Sequence, residues 1–300
     1  MKGTVKYLLA QEADYRWGVV THTVGLQEAP AGTTYPPGNH PQGHQFSTDK
    51  GRVLHNVHIL YILKGRGWFS STHCPHTYVK AGDAIILFPG EWHNYAPLAE
   101  VGWEEAWIGF SGDFADRIIN ERFFTVDNPI HHIGVCDTLC NAFENAYTVA
   151  RDEHPAYQQQ LAGYVNLIVS EIYARSKQEP YRGSEDAAKI TLAKKYMRKC
   201  IANNLNMEEV AAHVGMGYSK FRKTFKNQTG FPPIQYFLKL KLERAKDYLL
   251  STDLSIKAIA FRLGFDSAAY FNKVFRQHQQ QTPLEFRRMT SVQAPLTQEE

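Results

Sequence analysis

The chain has 300 residues, of which 43% are hydrophobic, and a formal net charge of +3. This length exceeds what one hydrophobic core usually covers, so we expect two domains. No apolar run is long enough to cross a bilayer, and the first residues contain only a fragment of a signal-peptide core, which predicts a cytoplasmic protein without a membrane partner. The four cysteines form no Cys-x-x-Cys pair, which argues against a disulfide framework and a Cys-only zinc site.

The charge is divided unevenly along the chain. Residues 184–290 contain nineteen Lys and Arg against nine Asp and Glu, a net charge of +10. Residues 1–183 contain fourteen against nineteen, a net charge of −5. A basic region fused to an acidic one predicts that the basic part contacts a polyanion.

Short β-rich runs, separated by Gly and Pro, follow one another between residues 19 and 110. Their spacing is typical of an antiparallel barrel or sandwich. The clearest runs are residues 59–63, 67–69, 84–88 and 106–110.

A helical pattern replaces the strands between residues 113 and 176. Apolar residues recur there at steps of three or four, which is the period of a helix. Such a stripe packs against the strands or forms part of a homodimer seam, and the pattern alone leaves both open. The stripe residues are Leu139, Phe143, Ala146, Tyr147 and Ala150, followed by Leu161, Tyr164, Val165, Ile168, Ile172 and Tyr173.

A change of composition after the second stripe predicts the domain boundary. Pro180 and Gly183 stand among polar residues, which indicates a linker over residues 178–186. The first domain is therefore expected at residues 1–177 and the second at 187–290, with a tail at 291–300.

The second domain contains an internal repeat. Both copies predict a helix, a tight turn and a second helix, because a capping residue begins each copy and a glycine ends its first helix. The pair Phe221 and Phe225 recurs fifty residues later as Phe271 and Phe275 and anchors the second helix of each copy. Asn206, Val210, Ala211, Val214 and Gly215 recur forty-nine residues later as Ser255, Ile259, Ala260, Leu263 and Gly264.

The face opposite each aromatic pair is predicted to contact DNA. Arg and Lys donate to guanine O6 and N7 or to phosphates, Asn bonds base edges, and alanine permits close approach and contact with a thymine methyl. A merely solvated face is the alternative for either helix alone, and two matching faces argue against it. The predicted DNA-contacting residues are Ser219, Arg222, Lys223 and Lys226 in the first copy, and Ala268, Ala269, Asn272, Lys273 and Arg276 in the second.

A longer helix is predicted between the copies, over residues 234–250. Its 17 residues correspond to about 25 Å at 1.5 Å per residue. It can therefore hold the two recognition helices about one DNA turn apart.

Residues 190–288 resemble the DNA-binding domain of the AraC/XylS family. The resemblance implies an activator that contacts RNA polymerase. It places base contacts at Ser219, Arg222 and Lys223 in the first copy and at Ala268, Ala269, Asn272 and Lys273 in the second. Alanine stands at residues 268 and 269 where relatives often have Gln or Arg, so direct readout by the second helix is expected to be weak. The matching residues are Ile259-Ala260-x-x-Leu263-Gly264-Phe265-x-Ser267, Tyr270-Phe271-x-x-Val274-Phe275 and Thr282-Pro283-x-x-Phe286-Arg287.

Residues 82–93 resemble the second motif of the cupin barrel. Metal-binding cupins also have a His-x-His and a Glu on an earlier strand, whereas this chain has only His55 and His58, with no Glu before Tyr61. A metal would need neutral histidines and a carboxylate together. We therefore expect no metal and no cofactor.

Residues 24–110 resemble the sugar-binding barrel of arabinose-type regulators, through residues 61–67, Pro89-Gly90 and 103–110. The resemblance implies that Trp107 stacks on a sugar, with Lys64 as the cationic partner and Tyr95 as the tyrosine. Glu105 stands where relatives have a histidine, so the same sugar is not implied. His58 and His93 share strand parity with Lys64 and Tyr95 and are predicted to point inward too. Simple barrel packing is the alternative for each residue.

Together these observations predict an α+β two-domain protein. The N-terminal domain is a cupin-like β-barrel with dimerisation helices, and the C-terminal domain is all-α with two helix-turn-helix units. The expected function is a homodimeric, sequence-specific DNA-binding transcription regulator, an activator rather than an enzyme, controlled by a small molecule such as a sugar.

Three alternatives compete with this prediction. A cupin enzyme with a DNA-binding tail would need the metal set that the sequence lacks. A methyl-accepting DNA-repair protein would need a reactive-cysteine zinc cluster, which Cys136 and Cys140 do not make. An AraC-type regulator controlled by a protein partner remains compatible with the same motifs.

Overall fold

The computed structural model describes residues 4–36, 47–181 and 183–291. It divides into two units, Met1–Pro180 and Tyr181–Glu300, and this division falls inside the predicted linker. The first unit is rich in strands and the second consists of helices, so the predicted two-domain α+β fold is confirmed. No helix in the described parts of the chain is both long and apolar enough to cross a membrane.

Nine strands, all paired antiparallel, lie in the described part of the first unit, and one long strand, β4, pairs with four of the others. The first half of β4 pairs with β6 and β8, and its second half pairs with β5 and β7. The strands are β1 (Thr4–Tyr7), β2 (Val20–Pro30), β3 (Arg52–Val53), β4 (Val57–Ser71), β5 (Thr77–Lys80), β6 (Asp83–Leu87), β7 (Trp92–Pro97), β8 (Gly102–Ser111) and β9 (Ile130–His132).

Alternation along β4 separates two hydrophobic cores, because successive side chains of a strand point to opposite faces. Ile59 and Tyr61 belong to a large core shared with the helices of this unit. Leu60 and Ile62 belong to an inner core, which also contains residues of β5, β6, β7 and β8. The two halves of the sheet therefore face each other across the inner core.

Four α-helices accompany the strands among the described residues of this unit, and the last two account for the predicted stripes. Leu139 and Phe143 on one helix, and Leu161 and Ile172 on the other, are fully buried in the large core. Packing against the strands thus explains most of the stripe, and the homodimer seam remains a prediction. The helices are α1 (Glu12–Tyr15), α2 (Asp113–Asn120), α3 (Asp137–Asp152) and α4 (Tyr157–Gln178).

Strand β9 lies inside the region that was predicted to be helical throughout. Its residues pair with β6, from Asp83 opposite His132 to Ile85 opposite Ile130. Three residues are too few for an alternating pattern to be visible in sequence, and the pairing depends on a partner 47 residues away in the chain.

The second unit contains seven α-helices over residues 183–291, and one of them is shared by two cores. α8 contributes Phe237 to the core of the first copy and Leu242, Ala245 and Leu249 to that of the second. The helices are α5 (Glu185–Lys199), α6 (Met207–His213), α7 (Tyr218–Thr229), α8 (Pro233–Ser251), α9 (Ile256–Arg262), α10 (Ala268–Gln279) and α11 (Pro283–Ser291).

The repeat predicted from the sequence is present as two helix-turn-helix units. The side chain of Asn206 accepts a hydrogen bond from a backbone N–H at the start of α6, and that of Ser255 does the same at the start of α9. Gly215 and Gly264 follow these helices with φ of +65° and +66°, a conformation in which a side chain would be strained. The predicted local signals therefore determine both turns.

Candidate functional site

The outer face of α7 presents all the cationic residues that were predicted for the first copy. Phe221 and Phe225 are fully buried and hold the helix against its core. The residues opposite them are solvent-exposed: Ser219, Arg222, Lys223 and Lys226. A helix of this kind can lay its exposed face in a major groove while the aromatic pair fixes its orientation.

Helix α10 repeats this arrangement with a different surface chemistry. Ser267 caps the helix by accepting from the N–H of Tyr270, and Phe271 and Phe275 are fully buried. Four of its predicted residues are exposed: Ala269, Asn272, Lys273 and Arg276. Ala268 is half-buried and packs against the second core, so it offers less surface than its neighbours.

The basic side chains on these faces are available for phosphates. Among the ion pairs that the described residues form, none involves Arg222, Lys223 or Lys273. A phosphate contact would therefore replace solvent rather than break an existing salt bridge.

A cavity of about 640 Å³ opens in the β-rich unit. Four of the six residues predicted to bind a ligand line it: His58, Tyr95, Glu105 and Trp107. Strand β8 supplies Glu105 and Trp107, which are two residues apart and therefore point to the same face. Strands β4 and β7 supply His58 and Tyr95.

Two glycines make room for rings beside this cavity. A Cβ at Gly25, which pairs with Trp107 across β2 and β8, would lie 2.1 Å from the indole. A Cβ at Gly109 would lie 2.3 Å from the imidazole of His58. Both positions therefore exclude larger residues, and the indole also donates to the hydroxyl of Thr23 at 3.4 Å.

Glu105 is a buried carboxyl group, with only 3% of the residue exposed. The hydroxyl of Tyr35 lies 3.0 and 3.2 Å from its two oxygens. Burial raises the pKa of Glu105 to about 8, although the hydroxyl of Tyr35 and the charge of Arg52 both act to lower it. At neutral pH this carboxyl group is mostly protonated, so it can donate as well as accept a hydrogen bond.

Each half of the chain matches a family model. Residues 210–289 match a helix-turn-helix domain, and residues 36–167 match the AraC-like ligand-binding domain. The chain belongs to the AraC/XylS family of transcription regulators. This AraC-type regulator therefore combines a DNA-binding domain with a ligand-binding domain.

Three comparisons illustrate the likeness of this AraC-type regulator to known proteins. It is 29% identical to the MmsAB operon regulatory protein of Pseudomonas aeruginosa over 79% of this chain and 76% of that protein. It is 24% identical to the raffinose operon transcriptional regulatory protein RafR of Pediococcus pentosaceus over 82% of this chain and 90% of that protein. A crystal structure of an AraC-type transcriptional regulator from Chromobacterium violaceum is 31% identical over 36% of this chain and 96% of that one, with a TM-score of 0.34.

Lys64 was predicted to face the ligand, and the structure places it outside the cavity of the regulator. Its ammonium group lies 2.6 Å from Glu104, and its side chain is 72% exposed. The register of β4 against β8 shifts between Ile62 and Lys64, so that Leu63 forms an irregularity in the strand. One extra residue inverts the alternation, so the position that the resemblance assigned to the cationic partner points away from the cavity.

Arg52 is the cationic residue that lines the cavity in place of Lys64, and no sequence pattern predicted it. This residue lines the cavity and donates to the hydroxyl of Tyr95. It belongs to β3, a strand of two residues that pairs with β7 and sets Arg52 opposite His93. A strand this short leaves no periodic signal, so only the pairing shows that Arg52 points inward.

His93 is buried at 1% exposure but supports the cavity wall rather than lining it. Its Nε2 lies 3.4 Å from the Nε of Arg52, and its ring stacks against that of Tyr95 with 6.2 Å between centroids. Burial, followed by the charge of Arg52, lowers the pKa of His93 to about 4, and the same two causes lower that of His58 to about 3. Both imidazoles of the AraC-type regulator are therefore neutral at neutral pH.

Metal-ligating side chains are dispersed through the part of the chain that the structure describes. No group of three or more His, Cys, Asp or Glu residues there could hold a metal ion. The four cysteines are free thiols.

Proposed function

We propose that the β-rich unit of this regulator binds a small sugar or sugar derivative, and that binding changes how the two helix-turn-helix units engage DNA. The observation that carries this proposal is the cavity of about 640 Å³ with Trp107 on its wall and Glu105 beside it. This volume lies within the range of small-molecule sites. The names of relatives that regulate raffinose and xylose operons agree with a sugar.

The chemistry of the wall suits a polyol. An indole stacks on the C–H groups of a sugar ring, while a few polar groups fix its hydroxyls. The protonated carboxyl of Glu105 both donates and accepts, Arg52 donates, and the hydroxyls of Tyr35 and Tyr95 do either. Neutral His58 donates from Nδ1 to the carbonyl oxygen of Asn56 at 3.2 Å, so its Nε2 is left as an acceptor.

The proposed DNA contacts follow from the exposed faces of α7 and α10. Arg222 and Lys223 are assigned to guanines or phosphates, and Asn272 and Lys273 to base edges or phosphates. Ser219 and Ala269 permit close approach, and Lys226 and Arg276 extend toward the backbone. Ala268 is assigned the smallest role because it is half-buried.

The proposed assembly is a homodimer that activates transcription through RNA polymerase. Most of the apolar stripe on α4 is buried in the large core, so the homodimer also rests on the resemblance to the family. Activation and the polymerase contact rest on the resemblance to the family. The ligand controls the regulator only if it binds one arrangement of the dimer more tightly than the other.

A thermal-shift screen of the full-length protein with monosaccharides and uronic acids tests the ligand. A true ligand raises the melting temperature with concentration, because it binds only the folded state. Trp107→Ala should abolish this rise, whereas Lys64→Gln should retain it because Lys64 lies outside the cavity. If no saccharide shifts the wild type, or if both variants respond alike, the sugar proposal fails and control by a protein partner becomes the better account.

A further inference from the structure

Lys241 is a buried lysine in the middle of α8, with only 5% of the residue exposed. Long cationic side chains rarely become buried without a partner that compensates their charge. This position lies between Phe237, which belongs to the core of the first copy, and Leu242, which belongs to that of the second. Lys241 therefore occupies the junction of the two helix-turn-helix units.

The ammonium group of Lys241 reaches the turn of the second copy. Its Nζ donates to the carbonyl oxygen of Gly264 at 3.2 Å. The ring centroids of Phe237 and Phe265 lie 4.9 and 5.3 Å from the same atom, close enough for cation–π attraction. Burial lowers the pKa of Lys241, and the nearby charge of Asp266 acts against this effect.

The turn at Gly264 also packs closely against the first copy. A Cβ at Gly264 would lie 2.4 Å from the carbonyl oxygen of Ala202, in the segment that follows α5 in the first copy. Phe265, the next residue, packs against Phe271 of α10 with 5.1 Å between ring centroids. The turn is thus fixed between α8 and the first copy, and it passes this constraint directly to the recognition helix α10.

The first copy has a related contact without the same constraint. Lys189 of α5 donates to the carbonyl oxygen of Gly215 at 3.3 Å. Lys189 also forms an ion pair with Glu185, and a Cβ at Gly215 would meet no heavy atom within 4 Å. A lysine therefore bonds the turn of each copy, and of these two lysines Lys241 is the one that lies between the two cores.

We propose that Lys241 is a positioning residue that locks α10 at one orientation relative to α7, so that the regulator accepts only one spacing between its two DNA segments. This inference rests on the proposed DNA contacts of both recognition helices. Inserting one base pair between the segments rotates the second by about 34° and moves it by about 3.4 Å. If α10 is held at one orientation it cannot follow this rotation. If the contacts of Lys241 with the turn at Gly264 are lost, α10 can adjust to it.

The test uses the full-length protein and a DNA site selected in vitro with the wild type. Affinities are measured by fluorescence anisotropy on the selected site and on the same site with one base pair inserted between the segments. We expect the insertion to weaken the wild type by at least about 10-fold, which is the size of one good base contact. Lys241→Met should reduce this penalty below about 3-fold, because the turn carbonyl loses its donor and the cation disappears.

Lys189→Met is the matched control, since it removes the equivalent bond in the first copy and should keep the full penalty. Circular dichroism checks that each variant is folded. If Lys241→Met does not fold, Lys241→Gln is used in its place. This variant should show an intermediate loss of affinity on the site with the insertion, because its amide can still donate a hydrogen bond. A protein that is only destabilised would lose affinity equally on both sites and leave the penalty unchanged.

The possible results separate this inference from the proposed DNA contacts. If base changes in the second segment leave the affinity of the wild type unchanged, the contacts of α10 fail and the lock fails with them. If those changes matter but the wild type tolerates the insertion, or Lys241→Met keeps the wild-type penalty, the DNA contacts stand and the lock is overturned.

Discussion

The two units of this regulator differ in where their candidate functional groups lie. These groups are on the surface of the helical unit and around an interior cavity of the β-rich unit. In the helical unit the interior is apolar apart from Lys241, with four fully buried phenylalanines behind the recognition helices, and the cationic residues predicted to contact DNA lie outside. In the β-rich unit polar groups such as Glu105 and His58 are buried around a cavity. Water screens the first set of charges, whereas burial determines the protonation of the second set. The surface of one unit and the interior of the other should therefore respond differently to mutation and pH.

The largest effect, a loss of folding stability, is expected from removing a buried aromatic ring behind a recognition helix. Phe271→Ala removes a fully buried ring from the second core and should lower the free energy of unfolding of the helical unit by about 4 kcal/mol. DNA binding should be lost with it. Urea unfolding followed by circular dichroism measures the change. A loss below about 1 kcal/mol would mean that this ring does not anchor α10.

Glu105 should make the β-rich unit less stable as the pH rises. Its pKa of about 8 in the folded state exceeds the ordinary value of 4.5, so the folded protein holds a proton that the unfolded chain releases. Its contribution is therefore most favourable below about pH 4.5 and is lost as the pH rises toward 8.

The matched variant Glu105→Gln keeps an acceptor for Tyr35 but cannot ionise. Between pH 5 and pH 8 the wild type should lose about 3 kcal/mol relative to this variant, at 1.36 kcal/mol per pKa unit. Chemical denaturation at the two pH values gives the difference. Parallel pH profiles for the two proteins would show that Glu105 ionises normally in the fold.

Removing one exposed cation should have a smaller effect, and on DNA binding alone. Arg222→Ala should cost about 1 to 3 kcal/mol of binding free energy and relax the preference at one base pair. The melting temperature should stay close to that of the wild type, because Arg222 is exposed. Anisotropy titrations against single-base variants of the site give both numbers, and equal affinities for the wild type and Arg222→Ala would exclude this contact.

The smallest effect is expected at Lys64. Its ion pair with Glu104 is on the surface, where such pairs contribute little. Lys64→Gln should leave the free energy of unfolding close to that of the wild type. It should also keep any ligand affinity within about twofold of the wild-type value. A large loss of ligand binding would restore Lys64 to the site and contradict the face that the structure gives it.

The helical unit was predictable because its signals are local. A cap such as Ser255, a turn glycine such as Gly264 and aromatic residues four apart each act within one or two turns of chain, and their repetition removes ambiguity. Helix α8 was predicted within one residue of its bounds at both ends. Lys241 was not recognised, because its role depends on a turn 23 residues further along the chain.

The cavity was only partly predictable because its geometry is not local. Glu105 and Trp107 follow from alternation along one strand, and the resemblance located them. The irregularity at Leu63 reversed the alternation before Lys64, and the pairing of β3 with β7 brought in Arg52 without any periodic signal. Tyr35 reaches Glu105 across 70 positions of sequence. Such contacts depend on strand pairing, which a single sequence does not specify.

The central claim is that the two recognition helices contact two successive major-groove segments. Methylation interference on a site selected with the full-length protein tests it directly, because N7 of guanine lies in the major groove. We predict two interfering clusters about 10 base pairs apart, with the cluster read by α7 weakened in Arg222→Ala. A single cluster, or interference confined to adenine N3 in the minor groove, would contradict this account.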